Sequence, residues 1–112
     1  MIYIFSAFYA ETKNIIDHYG LKKEKSPEMV RFDVFANESI RLVITGVGEI
    51  NAAAAVSNIG GAYGISQDDE ILNVGCGAGF SSDICMGSIF LGNKLTEQMT
   101  GRTFYPDMLM KA

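Results

Sequence analysis

The chain has no tryptophan, one histidine and two cysteines among 112 residues, and each scarcity closes off some chemistry. His18 stands alone, and Cys76 and Cys85 lie nine positions apart, so no metal-ligand spacing exists. Two cysteines in an apolar-rich chain without a secretion signal point to a reducing, cytoplasmic setting rather than a disulfide scaffold. Positive charge is also short. Nine Lys and Arg against 13 Asp and Glu leave a net charge of -4, which provides no electrostatic footprint for nucleic acid or an anionic membrane. The one basic cluster, "LKKEKSPE" (21–28), carries its own glutamates and a proline and reads as a solvated connector. No apolar run is long enough to span a bilayer. The N-terminal "MIYIFSAFYAE" lacks the basic start of a signal peptide and reads as a buried first strand.

What is present is a globular composition, 48% apolar and 20% charged, with glycine as the main punctuation. Ile2–Phe8 is an almost unbroken apolar run, as expected of a strand covered on both faces. Glu11–Tyr19 places Ile15, Ile16 and Tyr19 on one side of a short helix, which Gly20 stops. Val30, Phe32, Val34 and Ala36 alternate, "ANES" is turn chemistry and Ile40–Thr45 is a second strand, so 29–45 reads as a hairpin. Asn51–Ile59 is an alanine-rich helix that Gly60 and Gly61 weaken or end. Ile71–Val74 reads as a buried strand and Gly87–Gly92 as another. The order β-α-β-β-α-β-β predicts an α/β domain with a mixed central sheet flanked by helices.

The stretch "ILNVGCGAGFSS" (71–82) puts glycines at 75, 77 and 79 directly after a strand, where a bare backbone serves close approach to a ligand. An S-adenosylmethionine methyltransferase places a similar turn there. That reading needs a crossover helix next, and "FSSDICMG" is too short and too polar to cover a sheet. The residue opening the motif is Asn73, where that family usually has an acid. The dinucleotide fingerprint fails as well, with Asn51 and Phe80 in the places of its third glycine.

Three collinear stretches, "IFSAFYAETKNI", "TGVGEINAAAA" and "NVGCGAGFSSDICMGSIFLGNK", together resemble the purine nucleoside phosphorylase and nucleosidase superfamily. The resemblance is closest to the methylthioadenosine/S-adenosylhomocysteine nucleosidase branch. It implies a nucleoside phosphorylase-like fold, no cofactor, no metal, a purine nucleoside as small-molecule substrate, and a homo-oligomer. It implies that Glu11 is the catalytic carboxylate, and that Gly46, Gly75, Cys76, Gly77, Ala78 and Gly79 present backbone to the substrate. Phe104 and Tyr105, in "GRTFYPDM", would lie over the sugar or its 5′ substituent. Against these stand plainer readings: Glu11 as an acid favoured at a helix N-terminus, Cys76 as packing, Gly46 as a turn glycine, and Phe104 and Tyr105 as an interface or core edge. Phosphorolysis would need arginines to hold the anion. Phosphorylase relatives place an arginine in the loop after the first strand, which here is "AFYAE" with no basic residue. Arg41 and Arg102 fall on no phosphate motif. "VGCGAG" nonetheless echoes the phosphorylases' purine loop, so the balance tips only mildly toward water and phosphate stays open as the acceptor.

Members of that superfamily are longer, and the resemblance places their purine-protonating acid and ribose-gripping glutamates in a later half. The expectation is therefore that residues 1–112 are a single partial domain, truncated before its last strands. Such a piece should associate with itself or with a missing half, and a nucleoside-binding fragment without activity is the alternative function.

Overall fold

A computed structural model describes residues 1–79 and 82–106. They fall into two units divided after Gly77. The tail "DMLMKA" (107–112), read above as an interrupted element, lies outside the described residues, as do Phe80 and Ser81.

The first unit is built on a five-stranded mixed sheet. Its strands are β1 (Ile2–Ser6), β2 (Lys22–Lys23), β3 (Asp33–Ala36), β4 (Ile40–Ile44) and β5 (Glu70–Asn73), in the order β2-β3-β4-β1-β5. Helix α1 (Tyr9–Tyr19) follows β1, and α2 (Glu49–Tyr63) carries the chain from β4 to β5. β1 pairs in parallel with β4 on one side, Ile2 opposite Ile40, and with β5 on the other, Ile2 opposite Glu70. β3 runs antiparallel to β4, and β2 antiparallel to β3.

Strand alternation sorts the core into two layers. Tyr3 and Phe5 join Val34 and Val43 against Ala55 and Ile59 of α2. Ile4, Ile40 and Leu42 meet Ile16 of α1 and Leu21 on the other face. A first strand covered on both faces must be apolar at successive positions, which is why its sequence does not alternate. α1 ends where expected. Gly20 takes the left-handed conformation at φ 64°, and its N–H caps the Ile16 carbonyl.

Several expectations need correction. α2 does not end at Gly60 and Gly61 but continues to Tyr63 and closes on Gly64, at φ 70°. Glycine costs a helix interior roughly 1 kcal/mol, and here the packing of Ile59 and Tyr63 on the sheet outweighs it. β5 is not a buried strand, because among the described residues it pairs with β1 alone. Leu72 and Val74 pack inward, while Ile71 is 50% exposed. Val30 and Phe32 pack on the core ahead of β3 rather than within it, after a turn in which Val30 N–H donates to the Pro27 carbonyl. The basic connector also contains an unforeseen strand, β2, whose lysines occupy the sheet edge, where charge discourages further pairing.

In the second unit, β6 (Leu95–Thr96) and β7 (Thr103–Phe104) form a two-stranded hairpin with Leu95 opposite Phe104. The expected strand at Gly87–Gly92 does not form. Gly87 adopts φ 89° in a turn where Ser88 N–H donates to the Cys85 carbonyl, which breaks the run at its start. No helix among the described residues is long and apolar enough to cross a membrane.

Candidate active site

The three parallel strands of the first unit end together, with Ser6 opposite Ile44 and Phe5 opposite Asn73. Backbone pairing continues past the strand ends. Thr45 N–H donates to the Ser6 carbonyl at 2.8 Å, Gly46 N–H to Ala7 at 3.2 Å, and Val74 N–H to Phe5 at 3.0 Å. The loops leaving β1, β4 and β5 therefore emerge side by side. The carboxyl ends of parallel strands are the usual ligand site of an open α/β sheet.

Glu11 reaches this edge from the first turn of α1. Phe8, in extended conformation, begins the helix without a side-chain cap. The buried hydroxyls beneath fasten the turn instead: Thr12 Oγ1 donates to the Tyr9 carbonyl at 3.3 Å and Ser6 Oγ to the Phe8 carbonyl at 3.4 Å. The Glu11 carboxylate turns away from its own helix. Its Oε2 accepts the backbone N–H of Cys76 at 2.8 Å, across 65 residues of sequence. A methyl group placed on Gly75 would lie 3.5 Å from the same oxygen. The side chain is half-buried, and among the described residues no other hydrogen bond engages it. Glu11 is thus more than an acid favoured by a helix dipole, because it fastens the glycine loop to α1.

The glycines divide by physical role. Gly46 (φ 85°) and Gly48 (φ 96°) occupy backbone that side-chain-bearing residues avoid. A Cβ on Gly46 would come within 3.3 Å of Asn51 Nδ2, which itself donates to the Val47 carbonyl at 2.7 Å. The strand-to-helix turn therefore accounts for Gly46 without a ligand. Gly75 and Gly77 have ordinary backbone conformations, and a Cβ on Gly77 would meet nothing within 4 Å. Nothing inside the first unit demands glycine at 77.

Cys76 is exposed with a free thiol, as is Cys85. His18 sits in the last turn of α1, edge-on to Tyr19 at 4.7 Å and about two helical turns from Glu11, too far to activate Cys76. Ala78, Gly79, Phe104 and Tyr105 belong to the second unit. There a Cβ on Gly79 would press on Ile84 at 3.0 Å, and the Arg102 guanidinium lies over the Phe104 ring at 5.5 Å.

Arg41 lies at the far end of the sheet, beside Tyr3 near the start of β4. Its Nη1 donates to the Tyr3 hydroxyl at 2.9 Å and its guanidinium covers the Tyr63 ring at 4.0 Å. Nε is 3.9 Å from Glu24 Oε2, a charge contact rather than a hydrogen bond. Thus engaged, Arg41 is no anion anchor for the Glu11 edge. An open depression of about 380 Å³ lined by Lys22, Lys23, Glu24, Ala36, Asn37 and Glu38 also lies toward that far end and plays no part in the site.

Sequence reasoning missed the exposed apolar side chains at the carboxyl-end edge: Phe8 and Tyr9 where β1 passes into α1, and Val47 after β4. Large apolar residues in a strand-to-helix loop, where burial does not require them, were the signal available. Among the described residues, no group of three or more His, Cys, Asp or Glu is placed to hold a metal ion. No protein-family model, no curated protein and no solved structure matches this chain.

Proposed function

We propose that the Glu11 edge serves cleavage of the N-ribosidic bond of a purine nucleoside, with water as the acceptor. The observation that carries this reading is the hydrogen bond between Glu11 and the glycine loop, which brings a carboxylate and bare backbone to one end of three parallel strands. Cleaving such a bond requires a nucleophile delivered to the anomeric carbon of an oxocarbenium-like sugar. A half-buried carboxylate can orient and deprotonate that water, an effect typically worth about 10² to 10⁴ in rate. The glycine loop offers main-chain groups to the flat base, and Phe8, Tyr9 and Val47 offer apolar surface. Water is favoured over phosphate because Arg41, the arginine on β4, is committed elsewhere. A methyltransferase site receives less support: among the described residues no helix follows the glycine turn.

The test is release of free purine from adenosine-type nucleosides, with and without a 5′-thio substituent, followed by chromatography. Release by the chain that falls by about 10² to 10⁴ in Glu11→Gln supports the reading. Full activity in Glu11→Gln would remove Glu11 from the mechanism. Purine binding by calorimetry without release would leave the nucleoside-binding module instead.

A further inference from the structure

We infer that the backbone N–H of Cys76 positions the Glu11 base, so that the glycine loop and the catalytic carboxylate move as one element; this rests on the nucleoside-cleaving reading above. The terminal torsion of a glutamate is broad and two-fold, so a carboxylate on a first-turn residue has no preferred face of its own. Here one oxygen is fixed. Oε2 accepts the Cys76 N–H at 2.8 Å, and among the described residues no hydrogen bond engages Oε1. The two oxygens therefore divide the work, with Oε2 as the tie and Oε1 as the base. In the reaction, Oε1 takes a proton from water while the water oxygen bonds to the anomeric carbon. The C–N bond breaks, its electron pair leaves with the purine, and the purine takes a proton from solvent. Glu11 returns its proton to solvent, so water adds across the bond and nothing else is consumed.

Gly75 fits this arrangement. A methyl group there would already touch Oε2 at 3.5 Å, and a larger side chain would crowd the carboxylate off its donor. A purine settling on residues 75–77 would act on the same stretch of backbone that orients the base. Base position and substrate occupancy are then coupled through one main-chain donor, whatever side chain residue 76 carries.

Two measurements test this. In the ¹⁵N-labelled full chain, the Cys76 amide proton should resonate downfield. That displacement should be lost in Glu11→Ala, which removes the acceptor, and reduced in Glu11→Gln, whose carbonyl is a neutral acceptor. An amide shift unchanged in Glu11→Ala would overturn the tie, whether or not the chain cleaves nucleosides. In the kinetic arm, Cys76→Pro removes the donor, and urea unfolding checks that the variant remains folded. The hydrogen bond is to a charged group, so kcat should fall about 10- to 100-fold in the proline variant with KM nearly unchanged. A folded Cys76→Pro variant with the parent's kcat would overturn the positioning role; should that variant not fold, the amide measurement decides. Absence of purine release from the unaltered chain would remove the reaction but leave the amide measurement to decide the tie.

Discussion

The two ends of the sheet in the first unit both carry polar side chains, and they treat them in opposite ways. At the amino ends of the parallel strands, Tyr3, Glu24, Arg41 and Tyr63 engage one another, with the Arg41 Nε left in a charge contact to Glu24 rather than a hydrogen bond. Tyr63 donates to Glu24 at 2.6 Å, and Arg41 donates to Tyr3 while covering the Tyr63 ring. At the carboxyl ends, Glu11 holds one backbone donor and leaves an oxygen open beside bare, exposed loop. The first arrangement uses its polar groups against each other and so strengthens the fold. The second leaves one carboxylate oxygen without a hydrogen bond among the described residues. Polarity alone does not mark a site; polar capacity left open beside an exposed loop is the stronger sign.

Substitutions can break this contrast, and the largest effect should come from Glu11→Gln. Purine release should drop by about 10² to 10⁴ while urea unfolding shifts by less than about 1 kcal/mol, since the amide still reaches the loop. The opposite pattern is expected at the other end. Arg41→Met would leave the buried Tyr3 hydroxyl without its partner and lower stability by about 1–3 kcal/mol, with turnover unchanged. If Arg41→Met lowered turnover without changing stability, the two ends would not be separable as argued.

A finer division runs within the glycines. Gly46→Ala should cost about 1–2 kcal/mol of stability, because alanine at φ 85° is strained and its methyl would press on Asn51. Gly77→Ala meets open space at ordinary φ, so stability should change by less than about 0.5 kcal/mol. Its effect should appear as roughly tenfold weaker nucleoside binding by calorimetry, if the base approaches the loop closely. Equal binding by Gly77→Ala and the parent would show that the loop is not the contact surface.

What could be read from the sequence followed from short-range rules. β1 and α1, with the Gly20 stop, are local patterns, and so is the 29–45 hairpin, whose pairing the turn chemistry fixes. The misreadings came where tertiary contact overrode local preference. Gly60 and Gly61 should end α2 by propensity, yet Ile59 and Tyr63 carry the helix past them by packing. Ile71 reads as buried because it is apolar, but burial depends on which strands pair alongside it. The lysines of β2 resemble solvated connector because their pairing partners, Phe35 and Ala36, lie a dozen residues on. The site follows the same rule. Glu11 and the glycine loop can each be picked out on the sequence. Their hydrogen bond cannot, because its donor is a backbone N–H that nearly every residue possesses. Only the parallel register of β1 and β5 decides that the N–H belongs to Cys76.

The smallest effect should appear as a pH dependence at the amino ends of the parallel strands. The Tyr63 phenol is held above its ordinary value of 10.0, first by burial and then by its hydrogen bond to Glu24 and the charge of that carboxylate; Ser26 and Arg41 pull the other way. A raised value in the folded state means that the native protein keeps a proton which the unfolded chain releases at ordinary pH. The stabilisation is therefore complete below pH 10.0 and fades as pH climbs through the raised value, because in that window the unfolded state binds fewer protons than the native one. Tyr63→Phe keeps the ring beneath Arg41 but has no proton to lose. At neutral pH it should be less stable than the parent by about 0.5–1.5 kcal/mol, the worth of one hydrogen bond. In urea unfolding at about pH 11, where an ordinary phenol is ionised, that gap should narrow. A gap that stays constant between the two conditions would mean that Glu24 does not hold the Tyr63 proton in the folded protein.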